Sequence, residues 1–499
     1  MSGIAPDAPA AKSSSPSFCQ TRYSRSVRDL VRKSPKFFGV VLLAGLGLRL
    51  LFLFVFAQVT DDSRIYADIA QNWLHHGIYG ITAPGGIAPT YIRLPGYPAF
   101  LALIFALFGD NNFRAVMLCQ IAFDLGTCFL IADLALRMAG SRAAKISFLL
   151  AALCPFLANY SAAVLTETLE IFFTALALDL AVLGLEGLPA RRFRAWAGCG
   201  LAIAACIYIR PDGGLLLPAI ALYLLLQLVR HRACASKDVA SNVSTGSLIW
   251  AGLILLICSL GPLAPWTLRN LRTMHRFEPL TPRYANEPGE FVPAGFNRWV
   301  KTWIADYTSV EEVYWQEPGA KIDPSRLPER AFDSPDQKLC TEQVIAKYNQ
   351  TTDINPELDQ EFESLAEQRI LGHRLRYYLW LPALRIADMW LRPRTELLPA
   401  DSRWWEFNED PKWIAVTVGF GVINLAYVIL AIIGLLRDRG APWIYMLLLF
   451  LLVRSVFLGT LENPEPRYTL ECYPAVVVLT AVAFTRKQRY QNPNRTYQT

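Results

Sequence analysis

The sequence predicts an all-α polytopic membrane protein. Three observations carry that expectation. Of its 499 residues 53% are hydrophobic and only 18% charged, against about 25% charged in ordinary soluble chains. Apolar runs near the ~20 residues needed to cross a bilayer recur through both ends of the chain. One long polar stretch, Leu271 to about Tyr377, interrupts them. The net charge of +6 is modest, and its placement in particular loops is what orients the spans. Nucleic acid is not implied as a partner. The ten cysteines lie mostly inside apolar runs, with Cys340 alone in the polar stretch, so no disulfide framework is read there.

Residues 1–36 combine Ser and Pro with seven basic residues, Lys12, Arg22, Arg25, Arg28, Arg32, Lys33 and Lys36, against Asp7 and Asp29. This composition predicts a disordered cytoplasmic tail. The apolar segment Phe37–Ala57 is long and has no A-x-A-like cleavage site before Asp61, so it reads as a first span and not as a cleaved signal. Its interior Arg49 must face protein, water or a headgroup. With the tail inside, Asp61 and Asp62 emerge outside. Ile65, Ile69, Trp73 and Leu74 then fall near one face of a helix from Arg64 to Leu74, as in a helix lying on the membrane surface.

Tyr97–Gly109 is apolar but short for a crossing, so it is expected to dip in and return. Phe113–Met138 then runs inward to Arg137, Arg142 and Lys145. Ala143–Val164 comes out and Thr168–Leu185 goes in, which sets Thr166-Glu167 on the same face as the acidic pair. Trp196–Ile209 and Leu215–Val229 form the next pair, between the basic turns Arg191-Arg192-Phe193-Arg194 and Arg230-His231-Arg232, before a cytoplasmic loop, Cys234–Ser247. Leu248–Leu268 delivers Pro265-Trp266-Thr267-Leu268-Arg269-Asn270 outward. The polar stretch predicts a small ordered domain or loop with short helices, such as Pro356–Leu371, and Leu379–Leu391 is expected at the interface. Trp413–Leu436, Trp443–Leu458 and Leu470–Phe484 complete the chain and expose Glu462-Asn463-Pro464-Glu465-Pro466-Arg467-Tyr468.

That is about ten spans with both termini cytoplasmic. The expected organisation is a basic tail, 1–36; an N-terminal transmembrane catalytic module, 37–270, with its first outer loop at 58–112; a long outer loop with interfacial helices, 271–411; C-terminal spans, 412–485; and a basic tail, 486–499.

Asp61, Asp62, Glu167, Arg93, Arg269 and the segment Glu462–Tyr468 thus share one face, where a membrane-associated anion could be handled. No phosphate-binding G-x-x-x-x-G-K-[ST] loop, dinucleotide fingerprint or zinc spacing is present. Taken singly, an interfacial arginine or carboxylate more often snorkels or packs than catalyses, and Trp and Tyr at span ends are ordinarily belt residues. His75 and His76 read as solvated. The adjacent carboxylates of Asp61 and Asp62 are different: they repel, which raises one pKa or demands a counter-ion. A base beside a positioned hydroxyl is their simplest use.

Asp62-Ser63-Arg64-Ile65-Tyr66-Ala67-Asp68-Ile69-Ala70, followed by Leu74, Gly77, Tyr79, Arg93-Leu94-Pro95-Gly96-Tyr97-Pro98 and Phe108-Gly109, resembles the first outer loop of the GT-C membrane glycosyltransferases. The similarity is greatest to the bacterial branch of the dolichyl-phosphate-mannose protein mannosyltransferase family, which includes the lipid A aminoarabinose transferases. Pro265-Trp266-x-x-Arg269-Asn270 and Glu465-Pro466-Arg467-Tyr468 with Pro474 are similar to later signatures of that group. The resemblance runs from about residue 37 to 485 and is specific in the first loop, loose in the long one.

It implies a GT-C fold and an inverting transfer of a sugar from a polyprenyl-phosphate-linked donor to an envelope glycan, lipid or protein acceptor, at the periplasmic side of a bacterial inner membrane. Asp62 matches the family's base, and Asp61 beside it stays a candidate. Arg93 falls where the aminoarabinose transferases place a lysine against the donor phosphate, and an arginine can bind phosphate through two parallel hydrogen bonds. Arg269 and Arg467 are further phosphate ligands by the same resemblance, Glu167 is the second-loop acid, and Tyr66, Tyr97 and Tyr468 are substrate contacts. The resemblance leaves a divalent metal ion open, with Asp62 and Glu167 as its ligands, because the family does not uniformly need one. A transporter or flippase for a lipid-linked saccharide is the alternative; it favours internal repeats and broken helices at mid-membrane, and no repeat is evident. An envelope scaffold would explain the long loop but not the acidic pair.

Overall fold

The computed structural model describes residues 26–186, 189–235, 245–408, 410–438 and 443–485. Helix α1 (Val27–Lys33) and α2 (Pro35–Val55) open the chain. Helix α1 departs from the disordered tail expected over 1–36. Its Leu30 is buried in the main core with Val27 and Val31 against it, and the Val27 N–H donates to Asp133 at 2.7 Å, so three apolar side chains at helical spacing find a partner surface. The rest of that tail, like the basic tail at 486–499, lies outside the described residues. Arg49 of α2 faces protein: its Nε donates to Asp124 at 2.6 Å and its Nη1 to the Ala152 carbonyl at 2.6 Å.

Helix α3 (Asp61–His76) starts at the acidic pair itself, because Thr60 and Ser63 form a reciprocal capping box. It stops at Gly77, whose φ of 69° is the left-handed turn that glycine adopts freely. A hairpin follows, β1 (Gly80–Ala83) antiparallel to β2 (Gly86–Pro89), with Gly80 opposite Pro89 and Ala83 opposite Gly86. Pro84-Gly85 closes it. Helix α4 (Gly96–Phe108) has 13 residues.

Helix α5 (Phe113–Ala152) extends for 40 residues across a break at Gly140, φ 82° and ψ −173°. Two expected spans meet at that break. The second does not reach Val164: after a turn, Pro155 begins the short helix α6 (Pro155–Ser161). Helices α7 (Glu167–Glu186), α8 (Pro189–Ile209) and α9 (Leu216–Ala235) follow, and α10 (Thr245–Leu260) is separated from α11 (Leu263–Thr273) only by Gly261-Pro262.

In the polar stretch, α12 (Ala294–Lys301), α13 (Tyr307–Glu312), α14 (Pro335–Thr351) and α15 (Pro356–Gly372) close around their own core of Phe296, Trp299, Trp303, Ile345, Tyr348 and Phe362. Gly295 permits the close approach of α12 to α15, since a Cβ there would lie 2.1 Å from the Asp359 carbonyl. Helix α16 (Leu381–Leu391) is tied to this subdomain through Arg385, which donates to the Ile304 carbonyl at 2.9 Å, and through Asp388, which accepts from the Tyr307 N–H at 3.0 Å. Helices α17 (Pro411–Arg437), α18 (Ile444–Gly459) and α19 (Tyr473–Ala483) return to the bundle, whose core joins α5, α7, α8 and α19.

Among the described residues, seven helices are long and apolar enough to cross a membrane, and Gly96–Phe108 and Ile444–Gly459 are shorter apolar helices. Two features of these elements bear on the expectation of about ten spans. Helix α5 holds two helical segments joined at the Gly140 break, and Leu470–Phe484 divides into a 3-10 turn, Pro466–Cys472, and the 11-residue α19.

Candidate active site

Two linkers fix the site. Between α2 and α3, the Gln58 N–H donates to the Ala162 carbonyl and the Gln58 carbonyl accepts from Val164, both at 3.1 Å. The Ser63 hydroxyl adds a bond to the Val164 carbonyl at 2.7 Å. The start of α3 is thereby held against the start of α7, and Asp62 is brought to Glu167. Successive helical residues point about 100° apart, which separates the acidic pair. Asp61 turns out to solvent, its side chain 95% exposed beside Arg64. Asp62 turns inward.

Asp62 Oδ1 accepts from Arg93 Nη2 at 2.9 Å, and its Oδ2 lies 3.8 Å from Arg467. Burial opposes its ionisation, yet the charges of Arg467 and Arg93 prevail and hold its carboxyl below the ordinary aspartate range. Arg93 lies in the loop before α4, over the Tyr66 ring at 5.6 Å. Its Nε is buried without a hydrogen-bond partner. Glu167, the first residue of α7, is 3.4 Å from Arg210 and 3.8 Å from Arg467. Arg467 is also paired with Glu465 at 2.6 Å, and the Tyr468 ring lies 4.8 Å from the Arg210 guanidinium and 5.4 Å from that of Arg467.

A second charged layer lies behind. Arg210 is 3.0 Å from Asp212 and 3.4 Å from Glu170, while the fully buried Arg454 of α18 reaches Asp212 at 2.8 Å, Glu471 at 3.0 Å and Glu170 at 3.4 Å. The first layer, with Arg210 and Asp212, floors a cavity of about 1020 Å³, whose other wall is supplied by residues 281–293 and the α12–α15 subdomain.

The structure brings together Asp62, Tyr66, Arg93, Glu167, Arg467 and Tyr468, all of which line that cavity. Three expected residues do not join them. Asp61 faces solvent. Arg269 donates to the carbonyls of Thr90 at 2.7 Å and Tyr79 at 2.6 Å, which clamps the hairpin, and it lines a separate cleft with Trp73, Tyr79 and Trp266. Tyr97 is fully buried, with its hydroxyl donating to Gln120 at 2.7 Å. Sequence reasoning missed Arg210, Asp212, Glu170, Arg454 and Glu471 as partners of the site. Arg210-Pro211-Asp212 at a span end was a visible signal, whereas Arg454 and Glu471 sit in apolar surroundings and gain meaning only by contact.

Asp62 and Glu167 do not suit a divalent metal ion in this arrangement. Arg467 lies within 3.8 Å of both, and a guanidinium there repels a cation. No group of three or more His, Cys, Asp or Glu side chains arranged to hold a metal is found among the described residues.

Residues 89–257 match the profile of the dolichyl-phosphate-mannose-protein mannosyltransferase family. The oligosaccharyltransferase AglB from Archaeoglobus fulgidus, solved with an inhibitory peptide and a dolichol-phosphate, superposes with a TM-score of 0.50 at 13% identity, covering 91% of this chain and 50% of its own. The chain has the GT-C fold. The GT-C protein ArnT from Cupriavidus metallidurans, solved with undecaprenyl phosphate, aligns more loosely, with a TM-score of 0.37 and 14% identity over 89% of this chain and 78% of its own. This GT-C chain spans about half the length of the AglB that it matches. No curated protein sequence matches it significantly. The matched segment contains Arg93, Glu167 and Arg210, while Asp62 and Arg467 lie outside it and reach the site through the fold. With its apolar helices, the GT-C chain is an integral membrane protein.

Proposed function

We propose that the chain transfers a sugar from a polyprenyl-phosphate carrier to an acceptor hydroxyl at the outer, periplasmic face of a bacterial inner membrane, with inversion at the anomeric carbon. One observation carries this reading: Asp62 is held between Arg93 and Arg467, at 2.9 and 3.8 Å, in the wall of a cavity that opens at the ends of apolar helices. A carboxylate and unsaturated guanidinium groups in one site are the parts that a displacement at a glycosyl phosphate needs.

The acceptor oxygen attacks the anomeric carbon, and the bond from that carbon to the phosphate oxygen breaks with its electron pair going to the phosphate. The acceptor proton passes to Asp62. Arg93 and Arg467 then face the charge that grows on the leaving carrier phosphate. Arg93 donates from Nη2 to Asp62 and from Nη1 to the Ile92 carbonyl, and its buried Nε has no partner, so the guanidinium keeps donor capacity that a shift toward the phosphate can use. Arrival of the phosphate competes with Asp62 for both arginines, which raises the basicity of the carboxylate when the donor is bound. Glu167, held by Arg210 and Arg467, shapes the acceptor side of the site.

The outer-face assignment follows from chemistry: nucleotide sugars are cytoplasmic, so an outward site requires a donor that crosses the membrane, and the basic loops orient that side outward. Asp62→Asn should lower transfer from a polyprenyl-phosphate sugar by about 10²–10⁴-fold while the purified protein stays folded in detergent. Near-normal transfer by Asp62→Asn removes the base assignment.

A further inference from the structure

The two walls of the cavity differ in where their arginines lie. Arg93, Arg210 and Arg467 belong to the floor, among the carboxylates of Asp62, Glu167, Asp212 and Glu465. The facing wall carries Glu290, Asn297, Tyr314, Trp315, Glu317 and Asp353, and its arginine, Arg283, is already paired with Glu462 at 2.5 Å. Glu290, Glu317 and Asp353 have no ion pair among the described residues. The loops that bear the last two are joined, since the Gly319 N–H donates to the Thr352 carbonyl at 2.8 Å and the Tyr348 hydroxyl donates to the Gln316 and Ala320 carbonyls. Trp315 is braced edge-on against Tyr307 at 5.5 Å, yet its indole is 45% exposed.

Asn297 supplies an independent sign of a ligand. It is only 6% exposed, it lines the cavity, and its side-chain amide has no hydrogen-bond partner among the described residues. The residue is packed into the wall while its amide atoms stay open to the cavity. The amide presents both a donor and an acceptor there.

We propose that this wall is the acceptor subsite and that it takes the hydroxyl-rich face of an uncharged or amino-bearing saccharide, to the exclusion of phosphorylated and carboxylated ones. The unpaired carboxylates of Glu290 and Asp353 repel anions, and with Glu317, whose pKa burial and Asp353 push up to about 7, they accept hydrogen bonds from hydroxyl and ammonium groups. Tyr314 and Trp315 offer planar apolar faces with a polar edge, suited to a sugar ring that has C–H groups on one side and hydroxyls at its rim. A hydroxyl can both donate to and accept from Asn297, whereas a lysine or arginine side chain can only donate. That difference favours a saccharide over a basic peptide. The anionic donor phosphate is directed to the arginines of the floor, so the placement of the arginines sorts the two substrates.

The inference rests on the glycosyl-transfer reading, and the experiment separates the two. Binding of four probes to the detergent-purified full-length protein is measured by titration calorimetry: N-acetylated chitotetraose, its deacetylated amino form, tetragalacturonate and tetralysine. The two uncharged or amino saccharides should bind saturably, and tetragalacturonate at least about tenfold more weakly. Trp315→Ala, at a half-exposed position, should lose saccharide binding while keeping its melting temperature, and Glu317→Gln with Asp353→Asn should narrow the discrimination against tetragalacturonate. Equal or tighter binding of tetragalacturonate, absence of saturable binding by both other saccharides, capture of tetralysine alone, or unchanged affinity in Trp315→Ala overturns the proposal. Asp62→Asn should leave saccharide binding intact; if it also leaves transfer intact, the catalytic reading fails and the subsite stands.

Discussion

Arg93 and Asp62, 31 positions apart, share a hydrogen bond of 2.9 Å, so the phosphate ligand and the base proposed for the reaction begin bound to each other. In the proposed reaction, their separation is part of donor binding. Arg93→Ala should therefore weaken donor use more than acceptor use, seen as a rise in the donor KM, whereas Arg93→Lys should recover part of it as a single-point cation. An unchanged donor KM in Arg93→Ala removes the phosphate role.

The same contact sets a pH dependence. Burial acts to raise the Asp62 pKa, but Arg467 and Arg93 bring it below the ordinary value. A depressed carboxyl contributes stability above its unfolded pKa and loses it as pH falls through the folded one. Activity of the free enzyme should thus persist to a pH below the usual aspartate range. Arg93→Ala should move the acid limb of kcat/KM to higher pH, and a limb that stays in place or moves lower contradicts the pairing.

Asp61 provides the control. Its side chain is 95% exposed, and surface substitutions of that kind usually change stability by within about 0.5 kcal/mol. Asp61→Asn should keep near-normal transfer and melting temperature, where Asp62→Asn loses transfer while staying folded. Loss of transfer in Asp61→Asn would reassign the base.

Arg454 should matter through folding. It is the common counter-ion of Glu170, Asp212 and Glu471, and removing one partner from a buried ionic cluster costs about 3–5 kcal/mol. Arg454→Met should lower the melting temperature clearly in detergent. Adding Glu471→Gln to it should restore part of the loss, because one uncompensated carboxylate disappears; absence of any rescue would show that the cluster is not coupled.

Gly295 tests the subdomain. A Cβ at this position meets the Asp359 carbonyl at 2.1 Å, a backbone contact that cannot swing aside. Gly295→Val should loosen α12 from α15, measured as faster hydrogen exchange at Trp299 and Phe362, with exchange in α7 unchanged.

The apolar runs, the basic loops and the first-loop motif were enough to read a helical membrane protein and to expect Asp62, Arg93, Glu167 and Arg467, which line one cavity, on one face, because hydropathy and local spacing are properties of the chain itself. Arg269 and Tyr97 belonged to the same motifs, yet they hold backbone and core. Motif membership cannot say which way a side chain points.

Only the tertiary structure separated Asp62 from Asp61, through a capping box and the bond from Ser63 to Val164 that fix the rotation of α3. Only it assembled Glu170, Arg454 and Glu471 behind the cavity and set Asn297 across from the arginines. Composition and period determine which segments leave water. Which charges meet once they have left it depends on contacts between residues far apart in sequence, and those exist only when the helices have packed.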